Sequence, residues 1–317
     1  METRRTLLID AFADEPLAGN AAGVVPDADG LDAEQMGRIA RELSASETAF
    51  LTEDADADVD RRVRYFTPEQ EVDLCGHATI ASLVHLHDEG ALDAGAGRLR
   101  TNTGVIGVEV TDEGVAWMET GEPSVEVIDL DYERAGEALG IDPAAMQDVG
   151  ADLPAAVATV GLPFLIVPVN FLEHLGGADP DMDAVAALAA EHGATGVYAF
   201  TFDALDADST LHARMWAPGA GVPEDPVTGT ASGACGAYLH TVDAFDEPPS
   251  RMRFEQGHFV DRPGVVRVEV DGSVAHGSTD DRSETGDLDV RVGGRAVTAL
   301  DGSLVVPPAD DDDILEA

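Results

Sequence analysis

The chain has 317 residues, 44% of them hydrophobic, and carries 62 acidic against 18 basic side chains, a formal net charge of −44. That apolar content excludes a disordered polyacid, and the charge argues against direct nucleic-acid binding, which needs basic patches. No apolar run approaches the roughly 20 residues of a membrane-spanning helix.

The basic residues are all arginine; lysine is absent. Uniform excess acid, with small Ala and Gly in place of larger side chains, reads as adaptation to a very salty cytosol. There the Debye length falls to about 3 Å and self-repulsion is screened. Two cysteines, Cys75 and Cys235, make no disulfide framework. No basic, apolar leader precedes Leu7, so a reduced, cytoplasmic protein is expected. The length suffices for two domains with substantial cores.

In chain order, strand patterns are predicted at Thr6 to Phe12, Thr48 to Thr52, Arg61 to Phe66, Val105 to Val110 and Val115 to Glu119. Asp32-Ala-Glu-Gln35 has the form of a capping box and opens a helix to about Leu43. His77 to His87 is apolar on most faces, which marks a buried helix. Ala-Gly-Ala-Gly-Arg at 94–98 lacks a full phosphate-loop pattern and reads as a turn. Glu122 to Pro154 reads as a link between lobes with a short helix at Tyr132 to Leu139. Further strands follow at Ala156 to Val160, Phe164 to Val169, Val197 to Phe202 and Leu211 to Trp216. A helix spans Asp181 to His192, ending at Gly193. A second buried helix, Thr230 to Leu239, is built from Ala, Gly, Cys and Tyr. The last strands are Val265 to Val270, Asp287 to Val292 and Ala296 to Leu300. The tail from Pro307 reads as solvated. Many short strands with Gly and Asp turns indicate antiparallel sheets or barrels.

The pattern occurs twice. Ala49-Phe50 answers Ala199-Phe200, and Arg64-Tyr65-Phe66-Thr67-Pro68 answers Arg214-Met215-Trp216-Ala217-Pro218, at a constant offset of 150 residues. Each copy then enters a glycine turn and a buried helix, Cys75-Gly76-His77 in one and Thr228-Gly229-Thr230 in the other. One long repeat predicts two similar lobes and not a solenoid. The expected fold class is therefore α+β: two pseudo-symmetric lobes, each a barrel-like, mostly antiparallel sheet wrapped around one helix. Residues 1–122 form the first lobe, completed by a strand near 296–306. Residues 123–306 form the second, and 307–317 an acidic, disordered tail.

The copies differ at polar positions. Glu47 corresponds to Val197, and Asp225 has no acidic counterpart beside Cys75. A cleft between lobes favours a small molecule, and helix N-termini at Gly76 and Gly229 favour an anion there. Asp225, just before the second helix, is a candidate to hold an amine or hydroxyl of the substrate. His77, on the first helical turn, is a candidate hydrogen-bonding partner, and Asn20 a buttress. Glu47 in a closing, largely apolar cleft would serve as a proton carrier.

Asp10-Ala-Phe12, Gly19-Asn20, Ser46-Glu47-Thr48-Ala-Phe50, Cys75-Gly76-His77-Ala78-Thr79 and Glu224-Asp225-Pro226-Val227-Thr228-Gly229 together resemble the PhzF-like isomerase family. Gln256-Gly257 with Arg262-Pro263 is similar to a later family element. The resemblance spans about residues 5 to 306. It implies the diaminopimelate-epimerase-like fold and acid–base isomerisation with no cofactor and no metal. It also implies a homodimer, while the two helix N-termini lead us to expect a small carboxylate-bearing substrate. Carried over, Glu47 is the general acid/base, His77 and Asp225 bind and orient substrate, and Gly76, Gly229 and Thr230 supply donors. Thr230 stands where the family usually has Ser, and His258-Phe-Val-Asp261 replaces a commonly Gly-containing stretch, so the resemblance leaves the substrate open.

Two rivals have sequence support. A two-thiol racemase or epimerase would use Cys75 and Cys235, but Cys235 lies six residues beyond Gly229, inside an apolar helix. A non-catalytic metabolite-binding protein would keep the cleft without turnover. The histidines offer no metal-ligand spacing: His85 and His87 are two apart on a helix and cannot face one ion.

Overall fold

The computed structural model describes residues 2–149, 153–273 and 287–308. The chain divides into two compact units. One comprises Met1–Leu17, Ala21–Met118 and Arg295–Ala317, the other Ala18–Asn20 and Glu119–Gly294.

The first unit contains β1 (Glu2–Ala11), β2 (Asn20–Val25), α1 (Ala33–Leu43), β3 (Thr48–Thr52), β4 (Arg61–Phe66), β5 (Glu71–Val72), α2 (Gly76–Asp88), β6 (Gly95–Thr101), β7 (Gly104–Val110) and β8 (Ala116–Glu119), the first residue of β2 and the last of β8 being assigned to the second unit. The second contains β9 (Ser124–Val127), α3 (Tyr132–Leu139), α4 (Pro143–Gln147), β10 (Ala156–Thr159), β11 (Pro163–Pro168), α5 (Leu172–Gly176), α6 (Met182–Glu191), β12 (Gly196–Thr201), β13 (Leu211–Ala217), β14 (Val222–Asp225), α7 (Gly229–Thr241), β15 (Arg251–Gln256), β16 (Gly264–Ser273) and β17 (Asp287–Gly294). The chain then returns to the first unit as β18 (Ala296–Val306). Short 3-10 turns sit at Pro218–Ala220 and His258–Val260.

In the first unit β1 pairs antiparallel with β18, from Glu2 opposite Val306 to Ala11 opposite Ala296. β2 runs parallel to β3, β3 antiparallel to β4, β4 parallel to β6, and β6, β7 and β8 form an antiparallel meander. α1 starts where the capping box predicts it. Asp32 Oδ1 accepts from the Gln35 amide at 2.7 Å, and Gln35 Oε1 accepts from the Asp32 amide at 3.1 Å. Ser44, at φ 53°, ends it. Its apolar stripe, Met36 and Ile39, packs with Phe50 and Phe66. α2 is buried from Ala78 to Leu86 and packs on β1, β3, β7 and β18. Burying a side chain such as Leu83 or Ile80, both fully enclosed, contributes about 1.5–3 kcal/mol each.

The second unit repeats this order. β11 is parallel to β12, β12 antiparallel to β13, β13 parallel to β15, and β15, β16 and β17 form the meander. β9 and β10 extend the sheet beside β11. α7 packs on β9, β10, β11, β16 and β17. Its small residues are required by closeness: a Cβ on Gly236 would lie 2.6 Å from Val268 Cγ1. The architecture is thus α+β, each unit a mixed sheet around one helix.

Two expectations need correction. The stretch at 94–98 is not a turn but the start of β6, because it pairs with β7 from Gly95 opposite Val110 onward. The segment 122–154 is no simple linker. Besides the expected helix, α3 at Tyr132–Leu139, it supplies β9 and α4, and its Leu130, Ala135, Leu139 and Met146 join the second unit's core. The sequence reading also passed over β2, whose Asn-Ala-Ala-Gly lacks a strand-forming composition, and β15, where the charged Arg251, Arg253 and Glu255 alternate with Met252 and Phe254. Of the acidic tail, residues 309–317 lie outside the described residues; Pro307 precedes them, its carbonyl accepting from Gln35 Nε2 at 2.8 Å. Among the described residues no helix is long and apolar enough to cross a membrane.

Candidate functional site

Two sets of polar side chains gather at the starts of the two buried helices, one set in each unit. In the first unit Glu47 immediately precedes β3, and its backbone carbonyl accepts from the Gly23 amide at 2.9 Å, which fixes it to the parallel β2–β3 pair. Its carboxylate lies 3.5 Å from His77 Nε2. Ser46 Oγ is 3.3 Å from the same nitrogen, and Cys75 Sγ is 3.4 Å from His77 Nδ1. The Glu47 side chain is 24% exposed and that of His77 11%. His77 stands on the first turn of α2, which begins at Gly76 without a side-chain cap. The first amides of the helix therefore point out of it with their partial positive charge.

In the second unit α7 likewise begins without a side-chain cap, at Gly229. Asp225, the last residue of β14, is held from both sides. Asn20 Nδ2 donates to its Oδ1 at 2.8 Å and to the Val227 carbonyl at 2.9 Å. The Thr228 hydroxyl donates to its Oδ2. Gln256 closes the ring: its Nε2 donates to the Asp225 carbonyl at 2.7 Å, and its Oε1 accepts from the Thr228 amide at 3.1 Å. Arg262 donates to the Ala18 and Gly19 carbonyls at 2.7 and 2.8 Å, and the Gly19 amide returns a bond to the Pro263 carbonyl. These bonds set the segment that carries Asn20.

A partly buried ion pair supports β14. Arg214 makes two bonds of 2.8 Å to Glu224, the neighbour of Asp225, while its guanidinium lies over the Trp216 ring at 4.8 Å. Arg64 and Glu71 form the same paired fork in the first unit, at 2.7 Å. The paired fork thus belongs to the repeat, and Glu47 and Asp225 are what each copy adds.

Of the sequence-derived candidates, the structure brings Glu47 together with His77, and Asp225 with Asn20. Gly76 and Gly229 are the first residues of their helices. Thr230 lies on the first turn of α7, partly exposed. Thr228, Gln256 and the Arg262 side chain were not assigned roles by sequence. The family-like element Gln256-Gly257 with Arg262-Pro263 contains two of them, but only the fold brings Thr228 and Gln256 to Asp225 and Arg262 to the segment before Asn20. The sequence leads us to expect Asp225 to hold substrate directly; in the structure each of its carboxylate oxygens accepts a protein donor.

Cys235 is fully buried inside α7, and burial pushes its thiol well above the usual range. Enclosure within α7 keeps this thiol away from any substrate, which argues against the two-thiol reading. A second grouping was invisible to spacing rules: His212, Glu255 and His258 place one ligand atom each within 4.8 Å of one another. They come from two strands and a following turn, 43 and three residues apart in sequence.

The model of the family described as phenazine biosynthesis-like protein, PhzC-PhzF, matches residues 9–302. An uncharacterized isomerase of Clostridium acetobutylicum is 34% identical over 305 residues, covering 94% of this chain and 97% of that protein. The uncharacterized isomerase YddE of Escherichia coli is 36% identical over 271 residues, covering 83% and 88%. Among solved structures, a Bacillus anthracis phenazine biosynthesis protein of the PhzF family superposes with a TM-score of 0.83 at 30% identity, covering 96% of this chain and 100% of that one. A hydroxyproline epimerase from Agrobacterium vitis shares the fold, with a TM-score of 0.57 at 14% identity over 96% of this chain and 91% of its own.

Proposed function

Because this chain belongs to the phenazine biosynthesis-like (PhzC-PhzF) family and is an isomerase with the diaminopimelate-epimerase-like fold, we propose that it moves a proton within one small carboxylate-bearing metabolite, with Glu47 as general acid/base. The observation that carries this reading is the Glu47 carboxylate set 3.5 Å from His77 Nε2 at the uncapped start of a buried helix. A carboxylate set there is a placed base, and the neighbouring imidazole is met by Ser46 on the same nitrogen.

In the proposed step Glu47 takes a proton from an activated carbon of the substrate. The electron pair of the broken C–H bond moves into the adjoining conjugated system. Helix amides stabilise the charge that develops, as preorganised dipoles do. Glu47 then returns the proton to another carbon of that system, so substrate and product differ only in proton position. Asp225 contributes to binding. The Asp225 carboxylate, oriented by Asn20 and Thr228, would take an amino or hydroxyl group of the substrate.

The test follows proton exchange. Glu47→Gln keeps the shape and removes the base, so solvent deuterium should cease to enter the substrate while binding persists. Asp225→Asn should weaken binding. Deuterium uptake at the wild-type rate in Glu47→Gln would refute the assignment.

A further inference from the structure

We propose that His212, Glu255 and His258 form a binding site for one zinc-class divalent transition-metal ion. The site is built by the pairing of strands. His212 on β13 lies directly opposite Glu255 on the parallel strand β15, so both side chains leave the sheet on one face. Gly257, at φ 85°, turns the chain so that the 3-10 turn at His258 folds back over that face. His212 Nε2 and His258 Nδ1 are then 3.1 Å apart. Ligand atoms of a four-coordinate zinc site are separated by about 3.3 Å, for metal–nitrogen distances of about 2.0–2.1 Å. The two imidazoles already have that spacing, and Glu255, within 4.8 Å, has a short gap to close.

The carboxylate makes the stronger case. Glu255 is 2% exposed. Its oxygens accept the Leu205 and Asp206 amides at 2.9 and 2.7 Å, yet no arginine pairs with it among the described residues. A buried carboxylate without a cation is costly. A divalent ion between it and two imidazoles supplies the missing charge, while the two backbone amides orient the ligand from outside, as outer partners of metal ligands do. Two imidazoles and a carboxylate suit zinc, cobalt or nickel, and they leave positions for water. The ion would tie β13, β15 and the turn together one residue from Gln256, which braces Asp225 and Thr228.

Cobalt(II) is the probe, titrated into the chelator-stripped full chain and followed by visible absorption. One equivalent should bind and give d–d bands without a thiolate charge-transfer band. His258→Ala, changed at a partly exposed position, should weaken binding by at least about tenfold. Cys75→Ser should bind as the wild type does, which excludes the Glu47–Cys75–His77 grouping. Absent binding, binding lost with Cys75→Ser, or unchanged affinity in His258→Ala would each overturn the proposal. X-ray absorption on zinc-loaded wild type needs no variant: it should show imidazole scattering, and a sulfur shell would overturn the site.

Discussion

Acid should weaken this fold through His212 before its carboxylates titrate. The ring is fully buried and stands against the His258 and Phe259 rings. Burial first, then the neighbouring His258, lowers its pKa from 6.5 to about 4. The unfolded chain takes up a proton as pH falls through the ordinary value, whereas the folded chain resists until the lowered one. The stability is therefore intact above the ordinary value and is lost between the two. At about 1.4 kcal/mol per unit, the loss between pH 7 and pH 5 is about 2 kcal/mol, approaching 3 near pH 4. Lower pH also relieves repulsion among the acidic side chains, but a variant shares that effect. Denaturant unfolding of wild type and His212→Gln, with chelator present, isolates the histidine. The variant should lose about 2 kcal/mol less than wild type from pH 7 to pH 5. Equal losses in the two proteins would refute the reasoning.

The remaining predictions concern a turn and the acidic composition. In Gly257→Ala the new Cβ would meet the Arg262 carbonyl oxygen at 2.1 Å in a backbone with φ 85°. A destabilisation of about 2–4 kcal/mol is expected by denaturant unfolding, and a cost below about 1 kcal/mol would contradict that clash. The net charge of −44 predicts a melting temperature that rises from dilute buffer to about molar KCl, as screening shortens the Debye length. A melting temperature independent of salt would sink the reading of the acidic surface.

Much of the fold was legible because periodicity and caps are local. Thr48–Thr52 and Arg61–Phe66 are strands over the predicted residues, and Asp32 and Asp181 both cap helices. The internal repeat carried the larger message, since both copies reproduce one order of parallel and antiparallel pairings. What escaped depends on distant partners. β6 reads as a turn because Gly-Ala-Gly has no side chains to alternate, and only its pairing with β7 makes it a strand. The Asp225 ring joins Asn20, Thr228 and Gln256 across more than 200 residues. Likewise, His212 and Glu255 are neighbours only through the register of a parallel pair. Local signals placed Asp225 just before a helix and Glu47 at the start of a strand but could not name the side chains that brace them.

The pairing of β1 with β18 has a bearing on biogenesis. A ribosome delivers the N-terminal end first, yet one edge of β1 stays without its partner until residues 296–306 have emerged. The unit spanning Glu119–Gly294 draws most of its strands from one uninterrupted stretch and is free to condense earlier. In vivo, the half begun first is completed last, and a nascent chain halted before Ala296 would expose the bare rim of β1 to quality-control factors or to a second copy of itself.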